Sequence, residues 1–240
     1  VSPVLRNSKS TLIYVDFSGD SLRLGGSAFA QSLNHIGSDA PTVKNVAQFA
    51  ATFNAVQRLV KRGSILAAHD ISAGGLVTTL LEMAFANTTG GIEINTDAFC
   101  AEGQNDLVKI LFAENPAIVL QVADSSVDSA MKVLENAGAK AKIIGNTCKE
   151  RVLLINHDGT QRLVDIDYMC DVWYRSSYLM DCEQSGESHA LARFTNYKSQ
   201  PVRYRFPAGF DGKLESRGIA LGKHEKSGIR AAIIREKGVN

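Results

Sequence analysis

The sequence predicts an α/β (α+β) fold: a mixed β-sheet covered by helices, with an irregular C-terminal extension. Three observations carry the prediction. Strand-length runs of β-branched and apolar residues alternate with longer segments whose apolar residues recur at helical spacing, the pattern of a sheet packed under helices. Two late strand-like segments meet at a tight turn, which makes the sheet mixed rather than all parallel. The composition is that of an ordinary globular chain, with 45% hydrophobic and 21% charged residues over 240 positions.

Each element follows in order. TLIYVDF (11–17) is β-branched and aromatic, with Ile13, Val15 and Phe17 on one face of a strand. A turn-rich loop then leads to the glycine pair Gly25 and Gly26 and a short helix ended by Gly37. Residues 45–61 place Val46, Phe49, Ala50, Phe53, Val56 and Val60 at helical spacing, and Gly63 is a stop signal. SILAAHD is a short buried strand, and AGGLVTTLLEMAFAN a second helix with Leu76, Leu80, Ala84 and Phe85 inward. GIEINTD (91–97) alternates like a strand, NDLVKILFAEN (105–115) is helical, and AIVLQVAD (117–124) is a strand. SSVDSAMKVLENAG is a helix with Val127, Ala130, Met131 and Leu134 on one face, stopped at Gly138. AKIIGNT, RVLLINHDG and TQRLVDI are three more strands, with His157-Asp158-Gly159 turning between the last two. A last helix covers about 167–182.

Beyond Cys182 no sustained period remains. Residues 183–228 read as an irregular linker, and IRAAIIREKGVN (229–240) as the first strand of a truncated further domain. The domain reading is therefore 1–182, 183–228 and 229–240. Val1-Ser2-Pro3 carries neither an initiator methionine nor a signal-peptide pattern and reads as a cut within a longer chain.

Charge and cysteine usage narrow the function. Lys plus Arg (26) nearly balance Asp plus Glu (25), so no overall field argues for nucleic acid or an anionic membrane. No apolar run approaches the roughly 20 residues of a membrane span. The four cysteines, Cys100, Cys148, Cys170 and Cys182, show no C-x-x-C pairing. That argues against a zinc site and a disulfide framework, and fits a reducing cytoplasm.

The stretch AAHDISAGGL (67–76) carries the chemistry. Here a strand becomes a helix beside a carboxylate, a hydroxyl and two glycines. A helix start offers free N–H groups and a positive dipole end. Asp70 is a hard oxygen ligand of the kind Mg²⁺ needs when it bridges phosphates, and Ser72 can donate to a phosphate oxygen. The plain alternative is a helix cap worth about 1 kcal/mol. Glycines so early in a helix cost roughly 1 kcal/mol each, so a cap alone leaves them unexplained. LGGSAFAQ (24–31) is a second glycine-led helix start, read as tight helix–sheet packing with Ser27 as cap. Glu114 reads as a solvated residue at a helix end, and Trp173, Tyr174 and Tyr178 as a core stripe rather than a base-stacking platform.

Taken together, LIYVDF, RLGGSAFAQ, HDISAGGLVTTLLEMAFA, LFAENPAIVLQV, the Trp173 helix and the closing AAIIREKGVN resemble the phosphoribosylformylglycinamidine synthase family, in its large glutamine-dependent form. The likeness runs in order along essentially the whole chain. It implies a C-terminal-type domain of the aminoimidazole ribonucleotide synthetase superfamily, then a linker to a glutaminase domain. It also implies a purine-biosynthetic ligase that converts formylglycinamide ribonucleotide, ATP and glutamine to the amidine, ADP, phosphate and glutamate. The family's His-Asp-x-Ser-x-Gly-Gly motif implies Asp70 as Mg²⁺ ligand and Ser72 as nucleotide contact, with ATP or ADP bound. Ala73 stands where many relatives are acidic and Ile71 where they are polar, which leaves both implied ligands in place. The partners implied are the remaining domains of the same polypeptide, including the ATP-binding halves and the glutaminase. The isolated segment is expected to be inactive. Two rivals differ in kind: a small-molecule kinase of the same superfamily, and a non-catalytic scaffold with a vestigial nucleotide site.

Overall fold

The computed structural model describes residues 1–100, 103–199 and 205–218. Seven strands form one sheet: β1 (Ser10–Asp16), β2 (Ala67–Asp70), β3 (Gly91–Asn95), β4 (Ala117–Ala123), β5 (Lys140–Cys148), β6 (Val152–His157) and β7 (Thr160–Asp165). Their order is β2-β4-β1-β5-β3-β6-β7. Every pairing is antiparallel except β3 with β6, so the sheet is mixed, as the sequence predicts. The helices are α1 (Ala28–Ser32), α2 (Val46–Lys61), α3 (Gly75–Phe85), α4 (Asp97–Cys100), α5 (Leu107–Phe112), α6 (Val127–Glu135), α7 (Ile166–Ser185) and α8 (Glu187–Asn196).

β1 is an interior strand between β4 and β5 with helices on both faces, and its sequence is apolar on both faces for that reason. Leu12 and Tyr14 face one core, with Ile92, Ile94, Val119, Ile144, Leu153 and Ile155 under Leu76, Leu80, Ile110 and Ile166 of the helices. Ile13 and Val15 face the other, with Leu120 and Val122 under Ala55, Val56 and Leu59 of α2 and Ala130 and Leu134 of α6. This second core ends at β5. Beyond it the sheet alternates, with Ile92 and Ile94 buried while Glu93, Asn95, Ile143 and Leu163 are exposed. Helices thus cover most of one face and about half of the other, and β7 is left largely exposed.

α2 keeps Val56 and Val60 of the predicted stripe against the core but is rotated toward its smaller residues. Thr52, Ala55, Val56 and Leu59 are buried, whereas Val46 and Phe53 are 74% and 48% exposed. Reading only bulky residues misplaces the stripe: Thr52 and Ala55 are small, which lets the helix lie close to the sheet. The Trp173 stripe is corrected as well. Trp173 is 51% exposed and leans its ring on Phe85 at 5.8 Å, while Tyr178 meets Phe194 at 4.9 Å. Of α7, Ile166 and Cys170 alone are buried.

The predicted last helix is also longer, and a second follows it. α7 runs to Ser185, Gly186 breaks the helix at φ 84°, and α8 takes up ten residues that the sequence reading left irregular. The chain divides into two compact units, Val1–Phe194 and Thr195–Asn240. In the second, the Arg217 guanidinium lies 5.3 Å from the Phe210 ring, which stacks on Phe206. The strand expected at 229–240 lies outside the described residues.

Candidate functional site

β2 is an edge strand, paired antiparallel with β4 from Ala67 opposite Gln121 to Asp70 opposite Ile118. Ligand crevices of open α/β sheets form outside the carboxyl ends of parallel strands. The antiparallel pairing removes that rationale, and the site must instead be built from the β2–α3 turn itself.

The turn is rigid. Ile71 is buried and its N–H donates to the Ala117 carbonyl at 2.9 Å, extending the ladder by one residue. The Thr79 hydroxyl, one turn into α3, donates to the Asp70 carbonyl at 3.1 Å. The Gly75 N–H closes on the Ser72 carbonyl at 3.0 Å. Two consecutive residues, Gly74 at φ 88° and Gly75 at φ 71°, take left-handed conformations that side chains disfavour. A Cβ on Gly75 would lie 2.6 Å from the Leu111 carbonyl oxygen of α5. The glycine surplus therefore follows from backbone geometry and helix–helix approach.

On this frame Asp70 and Ser72 are held outward. The Asp70 side chain is 76% exposed, and Ser72 is exposed beside it. His69 fills the space behind: its Nδ1 lies 2.8 Å from the Asp70 carbonyl oxygen and 3.6 Å from the Asp70 carboxylate. Its Nε2 lies 3.5 Å from Glu82 of α3. Neither Asp70 nor Ser72 caps α3, whose N-cap is Gly74 with no side-chain acceptor of its own.

The acceptor comes from Glu114, which sequence reasoning treated as solvated. Glu114 is half-buried, and its Oε1 accepts from the Gly74 N–H at 2.8 Å and from the Ala28 N–H at 2.7 Å. One carboxylate oxygen thus serves the starts of α3 and α1 together. A signal was present: a glycine N-cap supplies no acceptor, so a group distant in sequence has to. The α1 start is otherwise as expected, with Ser27 Oγ accepting from the Ala30 N–H at 3.1 Å. The close contact at Gly25 is with the Asp39 backbone, 2.4 Å from an added Cβ, rather than with the sheet. Phe29 and Phe112 stack at 4.6 Å beside Glu114.

Elsewhere, a cleft of about 420 Å³ is lined by Tyr14, Asp16, Asp20, Gln104, Lys140 and Lys142. Burial works against ionisation of Asp20, but the Ser21 N–H, Arg23 and Lys44 outweigh it and hold its carboxyl below the usual carboxylate range. Asp20 Oδ2 lies 3.2 Å from Arg23 Nε, an ion pair whose angle is poor for a hydrogen bond. The sequence reading passed over these lysines because β5 and the loop after β1 are far apart along the chain.

Among the described residues no helix is long and apolar enough to cross a membrane. Residues 12–156 match the family described as AIR synthase related protein, C-terminal domain. The chain is 36% identical over 239 residues to a probable phosphoribosylformylglycinamidine synthase, chloroplastic/mitochondrial, of Arabidopsis thaliana, a match covering 95% of this chain and 16% of that protein. It is 31% identical over 260 residues to a probable phosphoribosylformylglycinamidine synthase of Caenorhabditis elegans, covering 100% of this chain and 19% of that one. The chain therefore spans under a fifth of the length of these curated relatives. Among solved structures, Thermotoga maritima PurL complexed with ATP superposes with a TM-score of 0.56 at 12% identity, covering 71% of this chain and 27% of that one. The same protein complexed with FGAR gives 0.54 at 15% identity, over 70% of this chain and 29% of that one. At such identities the likeness is one of fold. On the match over residues 12–156, the chain belongs to the AIR synthase related protein family and carries its C-terminal domain.

Proposed function

We propose that this chain is a segment of a phosphoribosylformylglycinamidine synthase, the ATP- and glutamine-dependent ligase that converts formylglycinamide ribonucleotide to the amidine in purine biosynthesis. The observation that carries the proposal is identity of 31–36% to synthases of that name along almost the whole chain. Within the enzyme, the β2–α3 turn contributes half of a magnesium–nucleotide site. Asp70 fits a magnesium ion: it is a single exposed hard-oxygen donor on a rigid turn. Mg²⁺ characteristically takes one or two carboxylates and completes its shell with phosphates and water. When bound, the ion would neutralise charge on the nucleotide phosphates.

The chain's own residues then have separate tasks. Ile71 and Thr79 fix the turn, Asp70 holds the ion, and the Ser72 hydroxyl donates to a phosphate oxygen. Glu114 occupies the Gly74 N–H. A phosphate at this helix start is therefore met by the Ser72 hydroxyl and the metal rather than by the Gly74 N–H. The companion ATP-binding domains and the glutaminase are supplied by other parts of the polypeptide, so the segment alone is inactive, and a cytoplasmic location belongs to the same reading.

The test is made in the full-length polypeptide. Asp70→Ala should strip bound magnesium and ADP from the purified enzyme and lower its melting temperature. Ser72→Ala should weaken nucleotide binding by roughly fivefold, the worth of one hydrogen bond. Unchanged metal content, nucleotide content and melting temperature in the Asp70 variant would remove the assignment.

A further inference from the structure

The parallel pair of strands brings together a second set of ligand-type side chains, at the opposite end of the sheet order from β2. β3 and β6 run side by side in register, with Asn95 opposite Asn156, so both end at the same place. Directly after them come Thr96 and Asp97, which turn into α4, and His157, which enters the β6–β7 hairpin. Asp97 and Cys100 stand three apart in α4 and share its face. One ligand atom from each of Asp97, Cys100 and His157 lies within 4.8 Å of the others.

We propose that Asp97, Cys100 and His157 form a binding site for a divalent ion of the zinc type, with a fourth position open. Carboxylate oxygen, thiolate sulfur and imidazole nitrogen are all zinc donors, whereas Mg²⁺ and Ca²⁺ do not use thiolate. Metal–ligand bonds of about 2.0–2.3 Å in a tetrahedron place ligand atoms about 3.5 Å apart, so binding requires these three to close by at most about 1.3 Å. That is within the reach of a rotamer adjustment at an exposed aspartate and half-buried cysteine and histidine.

The surroundings prepare the histidine. Thr96 is buried, and its hydroxyl donates to the Asn156 carbonyl at 3.1 Å. Thr96 Oγ1 also lies 2.8 Å from His157 Nδ1. With the hydroxyl proton on the Asn156 carbonyl, Nδ1 is the donor and the Nε2 lone pair is left for a metal, the arrangement by which hydrogen bonding sets the tautomer of a ligating histidine. Asp97 is oriented too: its N–H donates to Asn95 Oδ1 at 2.8 Å, and its Oδ1 accepts from the Asp158 N–H at 3.2 Å. Asp158 and Gly159 both have positive φ (47° and 67°), the tight hairpin turn that holds His157 in place. Cys100 is a free thiol. No pairing of cysteines announces this site in the sequence, since the third donor is remote along the chain and the parallel strand pair delivers it.

The full chain, stripped of metal, is titrated with Co²⁺ and then Zn²⁺. One Co²⁺ per chain should bind with a thiolate-to-cobalt charge-transfer band, which one equivalent of Zn²⁺ displaces. Cys100→Ser should abolish the band, and Cys148→Ser and Cys182→Ser should leave it intact. Thr96→Val should weaken zinc binding by roughly 10- to 100-fold, as loss of an orienting partner does. Because Cys100 is half-buried, His157→Gln serves as the second variant, with far-ultraviolet circular dichroism of each metal-free protein as the folding control. The proposal is overturned if no stoichiometric ion binds, if the band survives in the Cys100 variant, or if His157→Gln binds zinc as tightly as the parent.

Discussion

At the scale of single residues, Glu114 is the most consequential side chain that the sequence did not announce. A side-chain acceptor at a helix start is worth about 1 kcal/mol, and this oxygen serves two starts. Glu114→Ala should therefore lower stability by about 1.5–2 kcal/mol, measured by urea unfolding of the full chain. Glu114→Gln should recover part of the loss, because an amide oxygen still accepts while the charge that favours the helix dipole is gone. Equal stability of the alanine variant and the parent would show the two short contacts to be incidental. The proposed pair Asp70 and Ser72 draws notice in the sequence because a carboxylate and a hydroxyl precede a double glycine. The reason for the glycines was not legible, because it lies in the Leu111 and Phe112 backbone of another helix.

At the scale of elements, the helix pair α7–α8 is joined by an ion pair as well as by the Tyr178–Phe194 ring contact. Ala190 is the one buried residue of α8. The Arg193 guanidinium donates to both Asp181 oxygens at 2.7 Å, and with the Ser185 hydroxyl it pulls the Asp181 carboxyl down to about 2 from the ordinary 3.8. A depressed carboxyl contributes stability above its unfolded value and loses it as pH falls through the folded one. The tether should thus be intact above pH 4 and released between about pH 4 and 2. Amide exchange should show residues 187–196 losing protection across that window ahead of β1, more readily in high salt, since both partners are partly exposed. Asp181→Asn should remove the pH step; persistence of the step in that variant would place its origin elsewhere. The apolar positions of α8 are few, Ala190, Leu191 and Phe194 in a ten-residue polar segment, so its helical period is short and easily read as irregular.

At the scale of the whole molecule, the strands were legible one by one and their neighbours were not. Alternation in β3 and unbroken apolar runs in β1 and β4 announce strands, but nothing local says that β2 returns to pair with β4 or that β3 lies against β6. Pairings between segments distant in sequence are fixed by the common core, which has no signature in any one window. Among the described residues, both apolar cores are built between Leu5 and Met169. A chain ending at Asn196 should accordingly unfold in one cooperative transition, with a melting temperature within about 3 °C of the 240-residue chain. A drop beyond that, or a second transition lost on truncation, would give residues 197–240 a larger share in stability. The shared oxygen of Glu114 has one more consequence. An anion arriving at the α3 start finds its seat taken, and to claim the Gly74 N–H it must evict a carboxylate that also holds Ala28. Occupancy at one helix start would then be sensed at the other, with Glu114 as the competitor that both must release.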